Sequence, residues 1–89
     1  MTRFVLWGTY CEDALEKRGP FREEHLARLA CLKEEGILIT LGPTQCNKYV
    51  FGIFEANNID IVNKLIKEDV YWAEGIWTTL EIYPWTQAF

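Results

Sequence analysis

The stretch ILITLGPTQCNKYVFGIFE, residues 37–55, decides the fold. Ile37–Leu41 is a short β-branched and aliphatic run, Gly42 and Pro43 break it, and after a polar loop Tyr49–Glu55 is a second run of the same kind. Two such runs joined by turn residues read as an antiparallel hairpin with a longish loop. On its N-terminal side the period changes to about 3.6 residues. From Asp13 to Glu35, Leu26, Leu29, Ala30 and Leu32 share one side, Glu23, Glu24, Lys33 and Glu34 lie elsewhere, and Gly36 is the stop signal. Gly19 and Pro20 interrupt this helix, and because proline suits a first helical turn rather than an interior, a kink or fresh start is predicted at Pro20. Ahead of it, Arg3–Trp7 (RFVLW) reads as a strand ending at Gly8. Beyond the hairpin, Asn57 or Asn58 caps a second amphipathic helix whose apolar positions Ile59, Val62, Leu65 and Ile66 run to about Asp69. Gly75 then precedes a last strand, Ile76 to Tyr83.

The order is βαββαβ. With short connections and right-handed crossovers it predicts an α+β, ferredoxin-like fold, a four-stranded antiparallel sheet with two helices on one face. The 89 residues leave room for one domain, residues 1–89, with no linker and no repeat. Phe4 and Leu6 alternate with Val5 and Trp7, and Phe51 and Ile53 with Val50 and Phe54, so both faces of both strands are apolar. An uncovered face of that composition predicts a homodimer formed through the open sheet face. The alternative cover is the C-terminal tail, Pro84 to Phe89 folded back.

Composition narrows the function classes. At 49% apolar and 25% charged residues the chain is neither disordered nor membrane-like. Thirteen acidic against nine basic residues, net charge −4, argue against nucleic acid as a partner. RNA-recognition folds share the topology and NKYVFGIFE superficially echoes their aromatic strand, but the Lys/Arg-Gly pair is missing. Cys11, Cys31 and Cys46 are odd in number, never paired as CxxC, and accompanied by one histidine, which fits neither a disulfide framework nor a zinc site. Gly8, Gly42 and Gly52 compose no phosphate loop. The apolar run Phe4–Trp7 is too short for a signal peptide or a membrane span, and a reducing cytoplasm is the expected location.

His25 lies four residues before Leu29 and seven before Leu32, on the core-facing stripe of the first helix. Arg22 and Arg18 precede it by three and seven residues. Two guanidinium groups beside one imidazole suit the clamping of a planar anion such as a carboxylate or an enolate; the alternative is a salt bridge to Glu12, Asp13 or Glu16. Asp69 stands at a helix C-terminus, the unfavourable end for a negative charge, and enters the run Val70, Tyr71, Trp72. If the two parallel helices begin near Asp13 and Asn58, His25 and Asp69 both sit ~16 to 18 Å along their axes; a fresh start at Pro20 undoes that match. The alternative for Asp69 is a cap on the turn Val70–Glu74. Trp7, Tyr71, Trp72, Trp77 and Trp85, with Tyr10, supply aromatic walls for a pocket or a core.

These residues carry a resemblance. The stretch LEKRGPFREEHLARL with Arg18, Arg22 and His25, the strand end LITLGP with Gly42 and Pro43, and KEDVYWAEGIW followed by EIYPW resemble the YciI-like (YCII-related) family of small dimeric α+β barrel proteins over nearly the whole chain. KEDVYW looks like the family's Asp-Pro-Tyr element with Asp69 and Tyr71 in register, Val70 standing where proline is usual. The resemblance implies an acid/base pair at His25 and Asp69, with Arg18, Arg22, Gly42, Pro43 and Tyr71 around a small-molecule ligand. Relatives in the wider barrel superfamily include muconolactone isomerases and other enzymes acting on small cyclic or quinone-type compounds, several without a cofactor.

The expectation is a cofactor-free enzyme in which Asp69 orients His25, His25 moves a proton on a small anionic or cyclic substrate, and the reaction is of isomerase or lyase type. Its rival is a non-catalytic small-ligand-binding dimeric module, since the fold serves both. A haem-bound form with His25 as axial ligand lacks any signal for a second ligand.

Overall fold

The computed structural model describes residues 1–89. Strands β1 (Thr2–Tyr10), β2 (Leu38–Pro43), β3 (Tyr49–Ala56) and β4 (Trp77–Trp85) form one antiparallel sheet in the order β2-β3-β1-β4. The helices α1 (Ala14–Lys17), α2 (Arg22–Glu34), α3 (Ile59–Lys67) and α4 (Val70–Ala73) complete the α+β, ferredoxin-like fold. β1 pairs with both β3 and β4, so its apolar run becomes the centre of the sheet. Phe4 and Leu6 of β1, Val50 and Phe54 of β3, Val62 and Ile66 of α3 and Leu32 of α2 bury together as the core. No helix is long and apolar enough to cross a membrane.

Gly42 and Pro43 do not break β2 after Leu41, contrary to the sequence expectation, but form its last two residues, and β4 runs through Pro84 to Trp85. Both strands lie at a sheet edge, where a missing N–H need not cost a ladder bond. The interruption at Gly19-Pro20 is a turn of 3₁₀-helix, Gly19–Phe21, after which α2 starts afresh at Arg22. Leu26 and Ala30 are exposed, not part of the core-facing stripe. His25, Leu29 and Leu32, spaced i, i+4 and i+7, define that stripe, and Leu26 and Ala30 each sit one residue, about 100°, around the helix from it. α3 is capped by Asn58, whose Oδ1 accepts from the Ile61 N–H at 3.1 Å. It stops at Lys67, two residues short of Asp69.

The far face of the sheet carries Val5, Trp7, Tyr49, Phe51, Ile53 and Tyr83. Trp7 and Phe51 are 39% exposed and Tyr83 52%, so the C-terminal tail does not cover this face. Pro84 and Trp85 are spent in β4, which leaves four residues, held at the sheet by a bond from Arg3 Nη1 to Gln87 Oε1 at 2.8 Å.

β1 and β4 change register between Thr9 and Tyr10: Thr79 faces Thr9, Trp77 faces Tyr10, and Thr78 is the extra residue of a β-bulge. Gly8 precedes it, where a Cβ would run into the Thr79 carbonyl and the Leu80 side chain. Gly8→Ala is therefore expected to destabilise the protein by about 2 kcal/mol, read as a lower urea midpoint. A midpoint equal to wild type would show that β4 yields freely at the bulge.

Candidate functional site

The site is assembled where the second residue of the α3–α4 junction meets the first turn of α2. Asp69 is 1% exposed and is the N-cap of α4, its Oδ1 accepting from the Tyr71 N–H at 2.9 Å. The same oxygen lies 2.8 Å from His25 Nδ1. A carboxylate oxygen only accepts, so Nδ1 carries the proton and donates it to Asp69. Cap and histidine partner, alternatives in the sequence, are thus one atom's two bonds. The other oxygen, Oδ2, faces Arg28 Nη1 at 3.4 Å, and Arg28 also reaches Glu68 at 3.8 Å.

The imidazole is held on its faces as well. His25 stacks on the Tyr71 ring with centroids 3.6 Å apart and planes 7° apart, and lies nearly perpendicular to the Trp77 ring, 5.2 Å between centroids and 84° between planes. Its remaining nitrogen, Nε2, has no protein partner and is not among the sealed polar atoms, so it opens onto a pocket. That pocket has a volume of about 160 Å³ and gathers Arg18, Arg22, His25, Gly42, Pro43 and Tyr71, with Tyr10 and Leu41 beside them. Every residue that the sequence reading placed at a site is there except Asp69, which lies directly behind His25. Neither Arg18 nor Arg22 forms a salt bridge, so the expected alternative of pairing with Glu12, Asp13 or Glu16 does not occur.

Burial raises the Tyr71 phenol above its ordinary value, with Arg18 pulling against it. Burial likewise raises Tyr10, and the Trp77 indole N–H and Arg18 pull against it. Both phenols are therefore neutral hydrogen-bond donors near pH 7. Of the other aromatic residues considered for the pocket wall, Trp7 lies on the far face of the sheet, and Trp72 packs under the Lys67 ammonium at 5.8 Å. Arg28 was missed by the sequence reading; its spacing of three residues from His25 on one helix was the available signal.

A larger cleft of about 670 Å³ lies next to this pocket and shares Tyr10 and Asn47 with it. It is lined by Glu12, Asp13, Glu16 and Lys48, and holds Cys11 and Cys46, two of the three free cysteines. No imidazole and no arginine reach it. The smaller pocket is the one that holds the histidine and the two arginines without salt-bridge partners.

Residues 2–86 match the YCII-related domain family. The chain belongs to that family. It is similar to Protein YciI of Escherichia coli O6:H1 strain CFT073, 29% identical over 98 residues covering 97% of this chain and 98% of the relative. An uncharacterised protein of Haemophilus influenzae is 28% identical over 96 residues, covering 97% and 98% of the two chains. Among solved structures, the fold is shared with 5-chloro-2-hydroxyhydroquinone dehydrochlorinase from Burkholderia phenoliruptrix AC1100 in complex with 2,5-dihydroxybenzoquinone. Its TM-score is 0.83 at 22% identity, with 97% of this chain and 95% of that one covered. Protein Atu4242 of Agrobacterium tumefaciens shares it at a TM-score of 0.62 and 10% identity, with 99% and 94% covered.

The shared Oδ1 sets the expected response to substitution. Asp69→Ala strands the His25 N–H, uncaps α4 and leaves Arg28 only its longer contact with Glu68, and is expected to cost about 3 kcal/mol. Asp69→Asn keeps an acceptor oxygen for both Oδ1 bonds and is expected to cost about 1 kcal/mol. Urea unfolding of the two variants checks this; equal losses would assign the stability to the charge rather than to the shared oxygen.

Proposed function

We propose that the protein is a small cofactor-independent enzyme that moves a proton on a small anionic, cyclic substrate, in a reaction of isomerase or lyase type. The observation that carries this reading is a histidine whose Nε2 opens onto a pocket holding two arginines without carboxylate partners. Asp69 fixes the tautomer in which the Nε2 lone pair faces the ligand. His25 then takes a proton from the substrate and returns it elsewhere on the same molecule or to a leaving group, while the Asp69 carboxylate stabilises the imidazolium in between. Arg22 and Arg18 hold the substrate's oxygens and the negative charge that grows on them. Tyr71 keeps the imidazole plane fixed from behind, and Gly42 and Pro43 contribute wall without competing polar groups.

A pocket of about 160 Å³ is well below the ~300 to 1,000 Å³ of drug-sized sites and suits a single substituted ring. The related dehydrochlorinase binds such a ring, 2,5-dihydroxybenzoquinone, which supports the substrate class. The protein acts as one domain in the reducing cytoplasm, where its three cysteines stay free.

Proton transfer has a readout that needs no knowledge of the product. Hydroxylated quinones and small unsaturated lactones incubated with the protein in deuterium oxide are expected to gain solvent deuterium, followed by proton NMR. His25→Ala is expected to slow that exchange by at least about 100-fold. Full exchange in the variant would end the reading, and binding by wild type with no exchange would favour a non-catalytic ligand-binding module.

Two copies pair through the open sheet face in this proposal, burying Trp7, Phe51 and Tyr83 against their counterparts. Sedimentation is then expected to give twice the 10.4 kDa chain mass, and Phe51→Glu to return it to one chain. A wild-type monomer at micromolar concentration would refute the pairing.

A further inference from the structure

One buried polar side-chain atom has no hydrogen-bond partner, Nε1 of Trp77. The residue is 2% exposed, and a sealed N–H without an acceptor costs about 1–3 kcal/mol. The position is imposed by β4. Side chains alternate along a strand, so without the extra residue Thr78 the Trp77 ring would point to the open face of the sheet. The bulge turns it to the helix side, beneath His25, and bulges commonly re-aim a side chain beside a functional site. Thr9 pins the bulge, its Oγ1 lying 2.6 Å from the hydroxyl oxygens of both Thr78 and Thr79.

The cross-strand partner of Trp77 is Tyr10, which lines the pocket. The Trp77 indole N–H lies close enough to the Tyr10 hydroxyl to pull against its raised pKa without completing a hydrogen bond to it, and the hydroxyl, unlike the indole N–H, is not sealed. A phenol has one proton to give. If a neighbour donates to its oxygen, that proton points elsewhere.

We propose that Trp77 and Tyr10 form a donor relay that reads one oxygen of the ligand: the indole N–H donates to the phenol oxygen, and the phenol donates to a ring oxygen of a ligand seated against His25. The relay rests on the pocket reading above and narrows its ligand class. It selects a conjugated ring that carries its own oxygen, as a phenolate, enolate or quinone carbonyl, over a ring whose only oxygens are a carboxylate held by the arginines. Burial keeps the phenol protonated, so it remains a donor near pH 7. Tyr10 is a specificity-determining residue in this scheme and Trp77 a positioning residue.

Two probes separate the possibilities, 2,5-dihydroxybenzoquinone and benzoate, with binding followed by NMR line positions of the His25 ring and of the Trp77 indole N–H. The indole resonance is identified by its loss in Trp77→Phe. Tyr10→Phe is expected to weaken the quinone about tenfold, the value of one hydrogen bond to a charged oxygen, and to leave benzoate within about twofold. Trp77→Phe is expected to weaken the quinone by severalfold alone and to add nothing in the Tyr10→Phe background, because the relay is already broken. In wild type the indole resonance is expected to move on adding the quinone, a readout that needs no folded Trp77 variant. Unchanged quinone affinity in Tyr10→Phe, equal losses for both probes, or additive losses in the double variant would overturn the relay while leaving the pocket intact. Failure of wild type to bind either probe would overturn the pocket reading and the relay with it.

Discussion

A carboxylate sealed from water must have its oxygens satisfied from within the protein, and in this fold that constraint falls on Asp69. Its Oδ1 takes one donor from α2, the His25 Nδ1–H, and one from the start of α4, the Tyr71 N–H. Its Oδ2 faces Arg28, again from α2. The helical layer is therefore tied together at a single side chain, and the tie also sets the rings. Because one oxygen holds both the His25 ring and the Tyr71 backbone, imidazole and phenol are brought face to face, 3.6 Å apart and within 7° of parallel. Trp77 closes the arrangement beside the stack, its plane nearly perpendicular to both rings and its centroid 5.2 Å from His25 and 5.6 Å from Tyr71. The orientation of the one histidine is thus a consequence of satisfying a buried charge.

Much of this was legible because the chain punctuates itself. The hairpin, the interrupted helix and the closing strand all announce themselves through glycine, proline and a change of period, and the inward position of His25 follows from its spacing to Leu29 and Leu32. Two things were not legible. Equal axial height for His25 and Asp69 required one helix running from Asp13, whereas α2 begins at Arg22; the contact forms regardless because Asp69 is not at the end of α3 but beyond it, in the extended residue that starts α4. That also removes the electrostatic puzzle, since a helix N-terminus welcomes the charge that a C-terminus resists. The bulge at Thr78 was hidden for another reason. Trp77-Thr78-Thr79 contains neither glycine nor proline and alternates normally, so only the pairing with Thr9 reveals the extra residue.

The charges divide by location more than by number. The chain carries a net charge of −4, yet the small pocket presents Arg18 and Arg22 and no carboxylate, while Glu12, Asp13 and Glu16 line the neighbouring cleft. Arg3 and Arg28 show what the chain does with arginines it holds in place: Glu55 pairs the first, and Glu68 and Asp69 the second. Arg18 and Arg22 have no such partner, so their guanidinium groups are free to meet an anion without first breaking a salt bridge. The charge gathered at this concavity is thus opposite in sign to that of the chain as a whole.

The Asp-Val-Tyr sequence tests how much of the family's Asp-Pro-Tyr element is needed. Asp69 adopts φ −72° and ψ 141°, the extended conformation that an N-cap and a residue before proline both favour. Val70 follows as the first residue of α4, where proline is welcome because its missing N–H has no helical partner to lose. A proline there would narrow the backbone's freedom before folding, but it would make none of the bonds that define the site. Those bonds are donated by the Tyr71 N–H to the Asp69 carboxylate and by the Trp72 and Ala73 N–H groups to the Asp69 carbonyl. With valine in the middle the turn still forms, because Asp69 holds it through both its side chain and its backbone. Asp69 and the Tyr71 N–H supply the bonds that hold the turn, and the residue between them has only to permit it.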